Sequence, residues 1–206
     1  MYHSGRKDIR SGMKLTSLKT TYKLLSIGIA FLCNFVGTAM AYEEPSYELI
    51  KSNTVYEIRK YSDRLAVKTI HSSRGNGAFR RLFKYISGAN QSSSKIAMTI
   101  PVIQSNNDNG MAMYFFLPRK YTKDTAPVPK VENVSLVTIT GGYYAVIKYS
   151  GRSTEINFRK YASILNEALL SDGVKALEKP IKATYNGPLT PFFLRRNEAM
   201  YQIDWK

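Results

Sequence analysis

The chemistry open to this chain is bounded first by what it lacks. It has two histidines, His3 and His71, and one cysteine, Cys33. Imidazole is the commonest general acid or base and a frequent metal ligand, and His71 is the only one beyond the first forty-one residues. No Ser/His/Asp set, HExxH pair or phosphate-binding glycine loop is present, and a lone cysteine cannot build a Cys/His cluster. What the chain does carry is Leu82, Phe83 and Ile86 at helical spacing, with Arg80, Arg81 and Lys84 around them. Lys84 follows Phe83 directly, so its ammonium can edge the apolar stripe and meet an anion. Apolar side chains with cations beside them suit a binding surface. The residues point to a binder and away from an enzyme.

The elements that must hold these residues repeat along the chain. With a shift of 79, Ala66-Val67 falls on Ala145-Val146 and Phe79-Arg80-Arg81 on Phe158-Arg159-Lys160. In both copies a β-rich segment (Arg64–His71, Tyr143–Ser150) runs through a linker into a helix, which indicates duplication. Phe79, Leu82, Phe83 and Ile86 make the apolar stripe of the first helix, and Gly88 suits its end. Phe158, Tyr161, Ala162, Leu165 and Leu169 make the second stripe, capped by Ser153 or Thr154 and closed at Gly173. Strands are predicted over Val55–Tyr61, Arg64–His71, Lys95–Gln104, Met111–Leu117, Val134–Thr140, Tyr143–Ser150, Ile181–Tyr185 and Ala199–Asp204, rich in β-branched and aromatic residues. Asn106–Gly110 and Gly141-Gly142 read as turns, and Lys120–Val131 as a surface loop. Eight strands and two helices in two halves predict an α+β fold, a pseudo-two-fold antiparallel sheet or open barrel flanked by the helices.

Residues 1–41 read as a segment apart. Lys14, Lys19 and Lys23 precede an apolar stretch from Leu24 to Val36, and Ala39-Met40-Ala41 gives the small-x-small pattern of a cleavage site. A bilayer span needs about 20 apolar residues, so a cleaved signal peptide is expected, with Met13 an alternative start and one domain over 42–206. Cys33 would leave with the leader, so no disulfide or thiolate chemistry is expected in the remainder. Residues 1–41 hold six Lys/Arg and one Asp, so residues 42–206 keep a net charge of +10. Such a surface attracts anionic lipid, envelope polymer or carboxylate ligands. The cations are scattered, without a nucleic-acid-binding signature, and no nucleic acid partner is expected.

Four segments, taken in order, carry a resemblance: Glu44-Pro45-Ser46-Tyr47-Glu48-Leu49-Ile50, Tyr56-Glu57-Ile58-Arg59-Lys60-Tyr61, Lys95 to Val102 read as a strand ending at a proline, and Arg195-Arg196-Asn197-Glu198 leading into Ala199–Ile203. From about Glu43 to the C-terminus the chain resembles the SOUL/haem-binding-protein family. The resemblance implies a distorted antiparallel eight-stranded barrel with two flanking helices, related to GyrI-like effector-binding modules. It implies haem or another tetrapyrrole as a ligand rather than a catalytic cofactor, held in a shallow groove along the first helix. Arg80, Phe83 and Lys84 take that role by resemblance, with Leu82 and Ile86 as apolar wall and Met98 and Met113 as soft contacts. Where some relatives ligate iron through histidine, this chain has Lys60. His71 is then the candidate axial ligand, against a plain loop-edge histidine, and Tyr61 and Tyr85 are candidate oxygen ligands. Arg195 and Arg196 are expected to bind Glu198 or backbone carbonyls and fix the last strand in register.

The expectation is an exported monomer, periplasmic or secreted, that carries, buffers or scavenges haem. Two other readings stay open. A GyrI-like binder or hydrolase of other small amphipathic molecules would use Glu57 or Glu198 as its carboxylate. A basic envelope-surface protein would use its charge against an anionic membrane or polymer.

Overall fold

The structure is a computed structural model, and it describes Met1 and residues 42–71, 77–107 and 110–206. The predicted leader, the Ser72–Asn76 linker and the tip of the Asn106–Gly110 turn lie outside the described residues. Residues 42–206 form one compact unit. The described strand ladders and core clusters lie within it, so it carries its own core.

Among the described residues, ten strands and two helices follow in order: β1 (Tyr47–Ser52), β2 (Glu57–Tyr61), β3 (Arg64–His71), α1 (Gly77–Ile86), β4 (Val102–Asn107), β5 (Gly110–Phe116), β6 (Ser135–Ile139), β7 (Gly142–Tyr149), α2 (Glu155–Ser171), β8 (Lys175–Ala176), β9 (Ile181–Thr184) and β10 (Asn197–Asp204), with a 3-10 turn at Phe192–Leu194. The strands form a single antiparallel sheet ordered β1-β2-β7-β10-β9-β4-β5-β3-β6, with the short β8 beside β10. The predicted fold class is the one observed.

The duplication explains this order. The halves are β2-β3-α1-β4-β5 and β6-β7-α2-β9-β10, and they meet where β4 pairs with β9. There Val102 faces Thr184 and Ser105 faces Ile181, and a shift of 79 exchanges the two pairs, as a two-fold axis requires. The first strand of each half crosses over: β2 pairs with β7, and β6 with β3. Where β2 turns into β3, a Cβ on Gly141 would collide with the Tyr61 carbonyl, and the Gly141 amide donates to Asp63 Oδ1 at 2.7 Å. Glycine is required there by close approach rather than by a turn conformation.

Alternation assigns the two faces of the sheet. Ala145, Ile147, Ala199 and Tyr201 face α2, where Phe158, Ala162, Leu165 and Leu169 close the core. Val67, Met113 and Phe115 face α1. The alternate residues Tyr144, Val146 and Met200 form a third cluster with Ala183 and Tyr185 on the opposite, concave face. Both helices end on left-handed glycines, Gly88 and Gly173, with backbone bonds Ala89 N to Lys84 O and Val174 N to Leu169 O closing the last turns. Thr154 Oγ1 accepts from the Asn157 amide to cap α2.

Three strands differ from expectation, one of them the unforeseen two-residue β8 beside β10. β1 was not foreseen, because only one of its faces finds a partner, and Leu49 on it stays exposed. The strand expected from Lys95 begins only at Val102. Before it, the Ile96 amide donates back to Ile86 O, and the Ile100 amide to Glu43 O, so these groups serve the helix end and the N-terminal segment. Pro101 has no amide to join a ladder.

Candidate functional site

Apolar side chains occupy both flanks of α1, so its packing decides which flank is free. Ala78, Leu82, Tyr85 and Ile86 are buried against β3 and β5. Tyr85 locks that choice by donating its hydroxyl to Pro127 O at 2.8 Å, and Arg81 does so by donating to Thr69 Oγ1 (2.9 Å) and Ile70 O (3.0 Å). The rest of the apolar residues are left outside. Phe79 is 45% exposed and Phe83 50%. Their rings stack with centroids 6.0 Å apart and 13° between planes, and Phe79 rests edge-on against Phe115 at 5.1 Å. Arg80 and Lys84, both exposed, form the adjoining stripe one residue on. α1 bears no acidic residue. The result is an aromatic ledge with a cationic edge, open to solvent.

Among the residues expected in the groove, Arg80, Phe83 and Lys84 come together here, joined by Phe79. Leu82, Ile86 and Met113 are placed differently: all three are buried in the α1 core and back the ledge instead of facing a ligand. Met98 is half-buried against the same cluster. The reason is geometric, since residues 82 and 83 sit about 100° apart on a helix. Phe79 was not named for the groove, although it stands on the same apolar stripe as Phe83.

Among the described residues, the outward stripe of α1 presents Phe79, Arg80, Phe83 and Lys84 and no histidine, methionine or tyrosine. By strand alternation His71 follows Leu65, Val67 and Thr69 on the sheet face that α1 covers, and it is half-buried. Lys60 lies on β2, between β1 and β7 and away from the strands that α1 covers, with its ammonium 5.6 Å from the Tyr143 ring centroid. Burial pushes the Tyr85 phenol up to about 12. Burial does the same to Tyr61 against the opposing pull of Arg59, also to about 12.

The concave face holds a second feature that sequence reasoning missed. A narrow cleft of about 70 Å³ is walled by Tyr61, Tyr114, Phe116, Tyr144, Tyr185 and Met200. A flat macrocycle does not enter such a space without moving these rings. Arg64 lines the cleft, its terminal nitrogens buried without hydrogen-bond partners and Glu43 at 3.6 Å. Burial lowers the Arg64 pKa, with Glu43 opposing and Arg119 adding to the effect. The alternating tyrosines at strand ends were the available signal, diluted by fifteen tyrosines in the chain.

Beside the cleft runs a buried charge network. Arg59 and Glu198, both fully buried, form a bidentate pair at 3.1 Å and 3.1 Å. Tyr185 donates to Glu198 Oε2 at 2.6 Å, and Arg196 to Oε1 at 2.9 Å and 3.1 Å. Arg59 also meets Glu57 at 2.7 Å, Lys148 meets Glu57 at 2.8 Å, and Arg196 meets Glu44 at 2.8 Å. Three carboxylates face three cations, so the network is neutral and neither Glu57 nor Glu198 is left to hold a cationic ligand. The signature arginines do what was expected of them. Arg196 binds Glu198, while Arg195 donates to Thr190 O (2.8 Å) and Pro188 O (2.7 Å).

Glu57 makes part of this stability pH-dependent. Burial raises its carboxyl, but hydrogen bonds from Lys148 and Arg59 outweigh that and hold it below the usual range. Its folded pKa is depressed, so its contribution is present above the ordinary carboxylate pKa and is lost as pH falls through the lowered value. Urea midpoints of the wild type and Glu57→Gln should differ at neutral pH and converge on acidification. A gap that stays constant to pH 3 would contradict this.

A family profile described as SOUL heme-binding protein matches residues 42–202. No curated protein matches the chain. Among solved structures, the EcmrR C-terminal domain is similar with a TM-score of 0.54 at 10% identity, covering 78% of this chain and 99% of that one. A hydrolase from Listeria innocua gives 0.52 at 9% identity, covering 75% and 94%. An uncharacterized conserved protein from Listeria innocua gives 0.51 at 10% identity, covering 80% and 94%. At such identities these likenesses concern the fold alone.

Proposed function

The chain belongs to the SOUL heme-binding protein family, and from that membership we propose that it binds haem or a related tetrapyrrole reversibly on the outward face of α1. The observation that carries the reading is the exposed Phe79–Phe83 stack with Arg80 and Lys84 at its edge. The rings present a flat apolar seat, and the two cations match two propionates. With no ligating side chain on the outward stripe, affinity comes from stacking and charge, which suits a carrier, buffer or scavenger that must release its cargo. We place this role outside the cytoplasm in a monomer freed of residues 1–41, and we assign the protein no catalysis. Glu57 and Glu198, the carboxylates a hydrolase would need, are both tied to cations.

The test is a haem titration of residues 42–206, read at the Soret band. Arg80→Glu/Lys84→Glu should weaken saturable binding about tenfold, since each exposed charge contact is worth roughly 0.2–1 kcal/mol and reversal turns attraction into repulsion. His71→Ala should leave the Soret position unchanged, given the side of the sheet it occupies. A shifted Soret band in that variant would make His71 the axial ligand, and no saturable binding by the wild type would end the reading.

A second reading puts a smaller amphipathic molecule in the concave cleft. Its favouring observation is the aromatic wall around Arg64. Such a ligand would be an anion, because the guanidinium lacks hydrogen-bond acceptors while the nearby carboxylates are neutralised.

A further inference from the structure

The two halves of the duplication close their corresponding hairpins very differently. β4 and β5 are joined by residues 108 and 109 alone, whereas β9 and β10 are joined by Tyr185–Arg196. The longer connection is therefore extra chain that the pairing of the strands does not require. It carries four large apolar side chains pointed at solvent: Leu189 at 97% exposure, Leu194 at 66%, Phe193 at 63% and Phe192 at 48%.

Its shape is fixed from within. Arg195 donates to the Pro188 and Thr190 carbonyls, and the Thr190 amide donates to Gly187 O at 3.2 Å. The Leu194 amide donates to Pro191 O at 3.0 Å, and the Gly151 amide to Phe192 O at 3.0 Å. Asn186 Oδ1 accepts from the Arg196 amide at 2.7 Å, closing the base. Proline at 188 and 191 supplies no amide at all. Much of the loop's backbone is thus satisfied before it meets any partner, which is the condition for entering an apolar medium without stranding polar groups.

Cations surround the tip. Arg152 lies over the Phe192 ring at 5.4 Å and is itself exposed, and Arg195 and Arg196 hold the base. The neighbouring acids are spent: Glu198 is buried in its ion pairs and Glu44 is paired with Arg196. Residues 42–206 carry +10 overall. Apolar and aromatic residues at the centre with arginine at the rim is the pattern of a segment seated at the headgroup boundary of an anionic bilayer. A stable protein interface usually buries on the order of 1,200–2,000 Å² in total, and the tip of one loop offers far less.

We propose that the Tyr185–Arg196 loop docks the protein on anionic phospholipid membranes, with Leu189, Phe193 and Leu194 entering the interfacial layer and Arg152 meeting lipid phosphates. This docking is independent of the tetrapyrrole site, which lies on α1.

The experiment is cosedimentation of residues 42–206 with vesicles of phosphatidylcholine alone and of phosphatidylcholine mixed with phosphatidylglycerol. Wild type should bind the mixed vesicles, more weakly as salt rises. Leu189→Asp/Phe193→Asp/Leu194→Asp should lower the apparent affinity at least tenfold, and Arg152→Glu several-fold, with urea midpoints and haem titration unchanged in both. Absence of wild-type binding would overturn the proposal. So would binding that the triple variant retains, which would assign it to the basic surface in general. A concentration-dependent dimer that the triple variant abolishes, without vesicle binding, would give the loop to self-association and also overturn it. Loss of haem binding with intact docking would count against the α1 site alone.

Discussion

Glu198→Ala is expected to destabilise the protein by about 3–5 kcal/mol, the range for removing one partner of a buried ion pair. Both Glu198 oxygens are engaged, by Arg59 and Tyr185 on one side and by Arg59 and Arg196 on the other. Without the carboxylate, Arg59 stays fully buried, with Glu57, the Tyr61 hydroxyl and the face of the Tyr47 ring to meet it. Glu198→Gln keeps the volume and part of the hydrogen bonding but not the charge, so a smaller loss of about 1–3 kcal/mol is expected. Urea denaturation of residues 42–206 at neutral pH measures both. A loss below 1 kcal/mol for the alanine variant would show that Arg59 regains water or another partner, and that the network is not what holds β2 and β10 to β7. The same experiment bears on ligand chemistry. A carboxylate whose removal costs this much is structural and is not available to a cationic ligand or to hydrolysis.

That role could be read in advance from Arg195-Arg196-Asn197-Glu198, because two arginines beside an acid at a strand start have few other uses. The helices were equally legible: Phe158, Ala162, Leu165 and Leu169 recur at helical spacing and do face the core. The duplication fixed the order of elements and thus the fold class. What one sequence does not contain is the partner of each strand. The crossover of β2 to β7 and β6 to β3 depends on contacts between residues about eighty apart, and nothing in Glu57–Tyr61 names them. The concave cleft was hidden for the same reason, since its walls are single residues taken from many strands. On α1 the limit was different. Ala78, Phe79, Leu82, Phe83, Tyr85 and Ile86 cover more than half of the helix surface with apolar groups, so periodicity alone could not say which side would be left out.

Leu82 and Phe83 turn that ambiguity into a sharp contrast. Leu82→Ala should cost about 2–5 kcal/mol of stability, because the side chain is fully buried and its neighbours Tyr85, Phe115 and Val67 are anchored by the sheet and by the Pro127 bond. Phe83→Ala should change stability by less than about 1 kcal/mol, the worth of its stacking on Phe79. Its effect should appear in ligand binding. Full burial of a phenylalanine is worth about 1.5–3 kcal/mol, and half of that ring is still exposed in the free protein. Covering the exposed half with a macrocycle is then worth roughly 1–1.5 kcal/mol, or about tenfold in Kd at 1.4 kcal/mol per decade. Phe79→Ala should weaken binding similarly while losing more stability, since its ring also packs on Phe115. Urea curves and Soret titrations on the same preparations separate the two outcomes. If Leu82→Ala loses haem affinity while folding normally and Phe83→Ala keeps it, the ligand reaches the inner side of α1, and the helix must lift from β3 and β5 to admit it.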